Sequence, residues 1–147
     1  MLQDLPCPCA SVSKQVKQVN QVNKAHKSAP LYRACCARYI EQGNTPLLPE
    51  QLMRSRYSAY VLQNRDYLLR TWHPDTRPKD IEFEAGIKWL GLEVRKHITS
   101  NTITQDSALV EFVARYRVGG KGQRLQEKSC FVKLNGSWFY SHGDMLA

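Results

Sequence analysis

The sequence predicts an α+β fold in which helices come first and an antiparallel sheet follows. Apolar side chains recur with helical spacing after Pro49, and from Trp89 onward the spacing changes to two. The dipeptide Asn135-Gly136 is a strong hairpin signal between the last two predicted strands. Helices followed by an antiparallel meander are the element order of an α+β domain. With 147 residues, the chain is long enough to bury a core of its own.

The first predicted helix begins at Pro49, because proline is favoured at the first helical position. Its continuous face, at helical spacing, consists of Met53, Tyr57, Tyr60, Val61 and Asn64. Asn64 is predicted to end this helix and to cap a shorter one over about residues 65–72. The chain should turn at His73, which precedes Pro74, and a further helical turn is expected over residues 79–85.

Four strands are predicted from alternation of apolar and polar residues. The first starts at Trp89 and places Leu90, Leu92 and Val94 on one side. The second covers residues 108–117, and a glycine-rich turn at residues 119–122 follows it. The last two strands are predicted over about 124–134 and 137–142.

Four of the five cysteines form two tight pairs, Cys7 with Cys9 and Cys35 with Cys36. Four thiolates at about 2.3 Å suit tetrahedral Zn²⁺, and soft sulfur ligands make zinc the first choice and iron the second. Adjacent cysteines cannot form a disulfide with each other without strain. A redox role is the alternative, but the C-x-x-C spacing of disulfide exchangers is absent.

The formal net charge is +8, and much of the excess is local. Lys14, Lys17, Lys24 and Lys27 lie in an acid-free stretch between the cysteine pairs, where residues 14–25 form a triplet repeat. Such a basic segment can contact nucleic acid, although a solvated, loosely held segment is the favoured interpretation. Nearby in sequence, Lys14, Arg33 and Arg38 could offset the negative charge of a thiolate site.

The sequence also excludes several classes of protein. No apolar run approaches the roughly 18 residues that span a bilayer, so no membrane association is expected. The start of the chain lacks the basic and apolar regions of a secretory signal, which favours a cytoplasmic protein. No P-loop, dinucleotide fingerprint, GxSxG or HExxH motif is present.

Several segments together resemble the bacterial YchJ-like family, whose function is not established. They are residues 52–60 (LMRSRYSAY), 66–69 (DYLL), 71–74 (TWHP), 89–92 (WLGL), 112–115 (FVAR) and 135–140 (NGSWFY). The resemblance implies a nuclear transport factor 2-like (NTF2-like, cystatin-like) domain, in which a curved antiparallel sheet wraps a long helix. It also implies an N-terminal SEC-C metal-binding motif.

The SEC-C pattern is matched by Cys7-Pro8-Cys9, Ser11, Tyr32 and the pair Cys35-Cys36, with Ala10 and Val12 in place of glycines. The two pairs are separated by 25 residues, 17 more than in the usual pattern. We therefore divide the chain into a metal-binding segment, residues 1–40, and an NTF2-like domain, residues 41–147. We expect metal removal to loosen residues up to about Arg38 and to leave the sheet intact.

The resemblance implies two classes of function. The first is a non-enzymatic interaction or adaptor module that docks a protein partner, because SEC-C elements of the preprotein translocase ATPase are implicated in contacts with an export chaperone and the ribosome. The alternative is a small-molecule-binding or lyase/isomerase-like enzyme that uses a cone-shaped pocket. The oligomeric state is not predicted.

The pocket of such an enzyme would draw on side chains of the long helix, the turn after it and the strands. The residues predicted to line it are Arg56, Tyr57, Tyr60, Trp72, His73, Arg115, Glu127, Trp138 and Tyr140. His73 or Glu127 could act as a general base, and Arg56 or Arg115 as an anion anchor. Core packing of the aromatic rings and a structural ion pair of Arg56 are the favoured interpretations, and the cone is expected to be partly filled.

Overall fold

The computed structural model describes residues 2–9, 29–99 and 106–146. The triplet repeat and all four lysines of the acid-free stretch lie outside these residues. The helices are α1 (Ala37–Ile40), α2 (Pro49–Val61) and α3 (Arg65–Arg70), with 3₁₀ turns at Leu2–Asp4 and Tyr32–Ala34. The strands are β1 (Lys88–Thr99), β2 (Ser107–Val118), β3 (Lys121–Leu134) and β4 (Ser137–Leu146). They form one antiparallel meander in the order β1-β2-β3-β4, so the predicted α+β class is confirmed.

Side chains cap the two central helices. Gln51 in the first turn of α2 accepts hydrogen bonds from the backbone N of Leu47 (3.0 Å) and Leu48 (3.1 Å). Asn64 caps α3 as predicted, because its Oδ1 accepts a hydrogen bond from the Tyr67 backbone N at 3.0 Å. No helix follows α3 among residues 71–87, so the expected turn of helix over 79–85 is wrong. Arg65 holds that segment extended through a 2.9 Å hydrogen bond to the Ile81 carbonyl.

Irregularities in the sheet decide which side chains face α2. The register shifts between Trp89 and Gly91, between Val94 and Lys96, and between Cys130 and Phe131. A bulge adds one residue and bends the strand. The prediction that Leu90 shares a side with Leu92 and Val94 is wrong, since Leu90 falls at the first bulge and is exposed. Trp89 turns toward α2 instead and contacts the rings of Tyr57 and Tyr60.

The segment after α3 runs beside the edge of β4. Trp72 forms a parallel bridge with Tyr140. His73 N donates a 2.7 Å hydrogen bond to the Tyr140 carbonyl, and Tyr140 N donates one of 2.9 Å to the Thr71 carbonyl. The chain turns directly after this bridge, as Pro74 predicts, with Thr76 N bonded to the His73 carbonyl at 3.1 Å. The bridge covers part of the open edge of β4.

One buried cluster connects the N-terminal segment to the sheet. Cys7, Cys9 and Cys36 belong to the same cluster as Leu52 and Met53 of α2. Helix α2 therefore lies between two layers, the cysteine segment on one side and the sheet on the other. The division at residue 40 stays a prediction, and the two parts share one core. No helix in the described part of the chain is long and apolar enough to cross a membrane.

Candidate functional site

A short antiparallel bridge brings the two cysteine pairs together. Pro6 pairs with Leu31, Cys7 N donates a 2.8 Å hydrogen bond to the Pro30 carbonyl, and Tyr32 N donates one of 2.9 Å to the Leu5 carbonyl. The 3₁₀ turn that begins at Tyr32 then leads directly into the second pair. The bridge therefore joins the segment directly before Cys7 to the segment directly before the second cysteine pair.

The four cysteine sulfur atoms lie close enough together to hold one metal ion. The sulfurs of Cys7, Cys9, Cys35 and Cys36 all lie within 4.8 Å of one another, and Cys9 Sγ lies 3.6 Å from Cys35 Sγ. Four ligands at 2.3 Å from a central ion would be separated by about 3.8 Å. Three of the thiols are buried and Cys35 is half-buried. The donor set therefore fits a Cys₄ metal site.

The thiols share protons with one another. A hydrogen bond with Cys35 lowers the pKa of Cys7, whereas hydrogen bonds with the same Cys35 raise the pKa of Cys9 and of Cys36. The cluster therefore holds only part of its four negative charges unless a cation replaces the protons. Such a cation must have a preference for thiolate, which points to zinc or iron rather than magnesium or calcium.

Three side chains outside the cluster contact its cysteines, two at backbone carbonyls and one at a sulfur. Arg38 Nε donates to the Cys35 carbonyl at 2.9 Å, and Arg54 Nη1 donates to the Cys9 carbonyl at 2.9 Å. Ser58 Oγ lies 3.6 Å from Cys7 Sγ. Arg33, expected near the site, pairs instead with Asp4 at 3.0 Å on the surface, and Lys14 lies outside the described residues. Outer-shell groups of this kind orient the ligands of a metal site.

Sequence reasoning missed the contributions of Arg54 and Ser58. Arg54 also pairs with Glu50 at 3.1 Å, one helical turn earlier, and this i,i+4 spacing is the signal that the sequence carried. Nothing in the spacing of Ser58 distinguishes it from a solvent-exposed serine. Both side chains act on the cysteines because the N-terminal segment packs on the face of α2 that points away from the sheet.

A cavity of about 270 Å³ lies between α2 and the inner face of the sheet. Five of the residues predicted for the pocket line it: Arg56, Tyr57, Tyr60, Glu127 and Tyr140. The other lining residues are Met53, Trp89, Phe112, Ala114, Leu125, Ser129 and Phe131. The lining is therefore mostly aromatic and aliphatic, with one cation and one carboxylate. The cone is partly filled by rings and keeps an open interior.

The other four predicted pocket residues lie elsewhere. Arg115 is on the outer face of the sheet, where its Nη1 lies 3.4 Å from a carboxylate oxygen of Glu93, because neighbours in a strand point to opposite faces. His73 accepts a hydrogen bond from Asp75 N at 3.0 Å and packs on Phe139, away from the cavity. Trp72 stacks behind Arg56 and Tyr140. Trp138 is buried near the start of β4, where its ring lies beside Lys133.

Comparison with known proteins places the chain in a family. A family model described as the middle NTF2-like domain of YchJ matches residues 48–143. A UPF0225 protein of Polaromonas naphthalenivorans is 47% identical over 142 residues, covering 96% of this chain and 98% of the relative. A UPF0225 protein of Chromobacterium violaceum is 48% identical over 114 residues, covering 75% of this chain and 84% of the relative.

Two solved structures share the fold and the motif. The crystal structure of a SEC-C motif containing protein from Psychrobacter arcticus aligns with a TM-score of 0.75 and 28% identity, covering 99% of this chain and 85% of that one. The solution structure of a SEC-C motif containing protein from Rhodopseudomonas palustris aligns with a TM-score of 0.70 and 31% identity, covering 82% of this chain and 96% of that one. The chain belongs to the YchJ-like UPF0225 family, with a SEC-C-type cysteine cluster packed on an NTF2-like domain.

Proposed function

We propose that this protein is a zinc-binding, non-enzymatic interaction module that acts in the cytoplasm. The observation that carries the proposal is the cluster of four cysteine sulfurs, all within 4.8 Å of one another. A bound zinc ion would supply structural cross-linking of the segment before Cys9 to the segment around Cys35. With all four positions taken by protein sulfur, such a site stabilises a surface and offers no open position for chemistry.

The surface beside the cysteines has the features of a protein-docking site. Leu2 and Leu5 are exposed next to the cluster, at 40% and 54% of their side-chain surface. An open pocket of about 480 Å³ adjoins them, lined by Leu2, Tyr32, Glu41 and residues 62–66. Exposed apolar side chains with a polar rim suit a protein partner.

The charge of the chain favours an anionic partner. The formal net charge is +8, and four thiolates with one Zn²⁺ would reduce it by two. A basic protein is attracted to nucleic acid and to acidic proteins over several ångströms. A ribosome or an acidic chaperone, the partner classes that the SEC-C resemblance implies, therefore fits this chain.

Metal content tests the site. We expect about one zinc per chain, or one iron in its place, in protein purified under reducing conditions. Cys35→Ser should lose most of the metal, because it removes one of four ligands. Cys130→Ser is the matched control, since Cys130 lies on β3 outside the cluster and should leave the metal content unchanged. Protein that contains neither zinc nor iron would contradict the proposal.

Partner binding tests the interaction role separately. We expect wild-type protein to co-sediment with purified ribosomes or to bind a purified export chaperone. Leu5→Asp and Cys35→Ser should each weaken that binding, whereas Leu134→Asp, at the far end of β3, should not. Equal binding by wild type and both variants would show that the cysteine segment is not the docking surface, and no binding to either partner would contradict the proposed partner classes.

A further inference from the structure

The cavity contains a buried cation, Arg56, which bonds to Leu68 and Thr71 through Nη1 and also interacts with the Tyr60 hydroxyl. Arg56 is 5% exposed, and its Nη1 donates to the Leu68 carbonyl (2.8 Å) and to Thr71 Oγ1 (2.7 Å). The guanidinium carries five N–H groups, three of them on Nε and Nη2. In the part of the chain that the structure describes, none of the ion pairs includes Arg56. Within these residues Arg56 forms no direct ion pair, although the Glu127 carboxylate attracts it.

Two aromatic rings hold the guanidinium in place. Arg56 Cζ lies 4.5 Å from the centre of the Tyr140 ring and 5.0 Å from that of Trp72. Burial lowers the pKa of Arg56 to about 10, which still leaves it a cation at neutral pH. The Glu127 carboxylate of the same cavity attracts this cation without pairing with it among the described residues, and an anion in direct contact with the guanidinium would further offset the cost of its burial.

The described hydrogen bonds to the Glu127 carboxylate, which also lines the cavity, reach only one of its two oxygens. Ser129 Oγ donates to Glu127 Oε1 at 2.6 Å, and the Tyr140 hydroxyl donates to the same oxygen at 3.4 Å. Hydrogen bonds from described residues thus reach Oε1, and Oε2 remains able to accept one from a ligand. Gly143, which pairs with Ser129 in the sheet, makes room for this side chain. A Cβ at position 143 would overlap the Glu127 carboxylate and come within 2.9 Å of its Cγ.

The space between these groups is small and lined by rings. Its volume of about 270 Å³ lies just below the range of roughly 300–1,000 Å³ that is usual for drug-sized ligands. Tyr57, Tyr60, Trp89 and Phe112 form the apolar wall. A ligand in this space must carry an anion for Arg56, a hydrogen-bond donor for Glu127 and a flat apolar body between them.

We propose that the cavity is a binding site for a small monocarboxylic acid with a hydroxyl group, of the size of a single aromatic ring. The ligand carboxylate pairs with the Arg56 N–H groups that do not bond to Leu68 or Thr71, and its hydroxyl donates to Glu127 Oε2. The hydroxyl also decides specificity, because an acid that lacks it would leave Glu127 unpaired beside the ring. This site is separate from the cysteine cluster and does not depend on the proposed interaction role.

The test uses the full, metal-loaded chain and three probes, the 2-, 3- and 4-hydroxybenzoates, titrated by calorimetry and by protein-observed NMR. We expect at least one isomer to bind and to shift resonances of Tyr60 and Tyr140. The corresponding hydroxybenzamide, which lacks the charge, should bind at least about tenfold more weakly. Benzoate, which lacks the hydroxyl, should also bind more weakly than the best isomer. Absence of binding for all three isomers up to about 10 mM would overturn the proposal.

Variants of Arg56, Glu127 and Gly143 then test whether Arg56 binds the carboxylate of the ligand and Glu127 its hydroxyl. Arg56→Lys should weaken hydroxybenzoate binding, and Arg115→Lys, on the outer face, is its control. Glu127→Gln and Gly143→Ala should each bring the affinities for hydroxybenzoate and benzoate close together, because both remove or displace the carboxylate. Their controls are Glu93→Gln and Gly122→Ala, since Gly122 has open space where a Cβ would be added.

Thermal unfolding of every variant shows whether it remains folded. If Arg56→Lys does not fold, the comparison of hydroxybenzoates with hydroxybenzamides in the wild type still decides whether a cation binds the ligand. Equal affinity for the acid and the amide would overturn the proposal. So would an unchanged preference for hydroxybenzoate over benzoate in both Glu127→Gln and Gly143→Ala.

Discussion

Arg54 links the cysteine cluster to the central helix. Its Nη1 donates to the Cys9 carbonyl at 2.9 Å, and its Nε pairs with Glu50 at 3.1 Å on the same helix. The first contact fixes the peptide of Cys9, a proposed metal ligand, and the second holds the guanidinium in position. A side chain that orients a ligand in this way changes metal affinity without contributing a ligand atom.

Replacing Arg54 should therefore weaken zinc binding. We expect Arg54→Met to lower zinc affinity by about tenfold or more, measured by competition with a chromophoric chelator. Methionine keeps the length of the side chain and removes both hydrogen bonds. Arg33→Met is the control, because Arg33 makes a solvent-exposed pair with Asp4 and no contact with the cluster is seen among the described residues. If the two variants bind zinc equally well, Arg54 has no role in positioning the site.

Arg56 shows which residue-scale features a sequence can predict. Its position beside the apolar stripe of α2 predicts that its stem is covered, and the side chain is indeed buried. The partners come from Leu68 and Thr71, which reach Arg56 only because α3 folds back beside α2. Spacing along one helix cannot specify contacts that another element supplies.

At the scale of elements, α2 has two buried faces, and apolar spacing predicts only one. Met53 and Tyr57, on the predicted face, are buried toward the sheet. The opposite face, buried equally well, carries Ser55 and Ser58. Serine is usually solvent-exposed, so hydrophobic periodicity cannot reveal a face that packs through small polar residues. Only the docking of the cysteine segment and α3 shows why these positions are small.

The hydrogen bond between Ser55 and Tyr67 allows the contribution of this face to stability to be measured. Ser55 Oγ lies 2.6 Å from the Tyr67 hydroxyl, both residues are buried, and burial raises the pKa of Tyr67 to about 12. Ser55→Ala leaves that hydroxyl buried without its partner, so we expect a loss of about 1–3 kcal/mol in the free energy of unfolding, measured with urea. The double variant Ser55→Ala/Tyr67→Phe should recover part of that loss, because no hydroxyl is then left unpaired.

The double-mutant cycle includes its own control. Tyr67→Phe alone measures the cost of removing the hydroxyl while Ser55 keeps its 2.8 Å hydrogen bond to the Leu52 carbonyl. A coupling energy near zero between the two substitutions would contradict a direct interaction between α2 and α3 through this pair.

The strands were more predictable than the helices at the scale of elements. Alternation and the turn at Asn135-Gly136 predict all four strands, and each is longer in the structure by one to several residues. Gly136 has φ of +83°, the left-handed conformation that a two-residue hairpin turn requires. The bulge at Leu90 was not predictable, because it depends on the pairing of β1 with β2 and on the space that Trp89 fills against α2.

At the scale of the whole molecule, the family resemblance predicts the architecture, and packing decides how its parts are joined. The four cysteines of the cluster lie within two residues of each other in each pair, so their spacing predicts that they come together. The lining of the cavity draws on α2 and on all four strands, and the resemblance predicts only five of those side chains correctly. The connection between cysteine segment and domain was not predictable, because it runs through buried contacts that no motif encodes.

This shared core changes the expected effect of metal removal. The cluster of buried residues includes Cys7, Cys9, Tyr32 and Cys36 together with Leu52. Loss of metal would leave thiolates or unpaired thiols against one face of α2, and the other face of the same helix packs on the sheet. We therefore expect chelation to lower the thermal midpoint of the entire domain, not only to loosen residues up to about Arg38.

Circular dichroism on the full chain tests this expectation. Near-UV signals from Trp89 and Trp138, on the sheet, and the far-UV signal should shift together by several degrees when a strong chelator removes the metal, because a loss of about 1 kcal/mol moves the midpoint by roughly 2–8 °C in domains of this size. Cys130→Ser with metal bound should melt close to wild type and serves as the control for loss of a thiol. An unchanged midpoint of the tryptophan signals after chelation would show that the sheet and α2 fold independently of the cysteine segment.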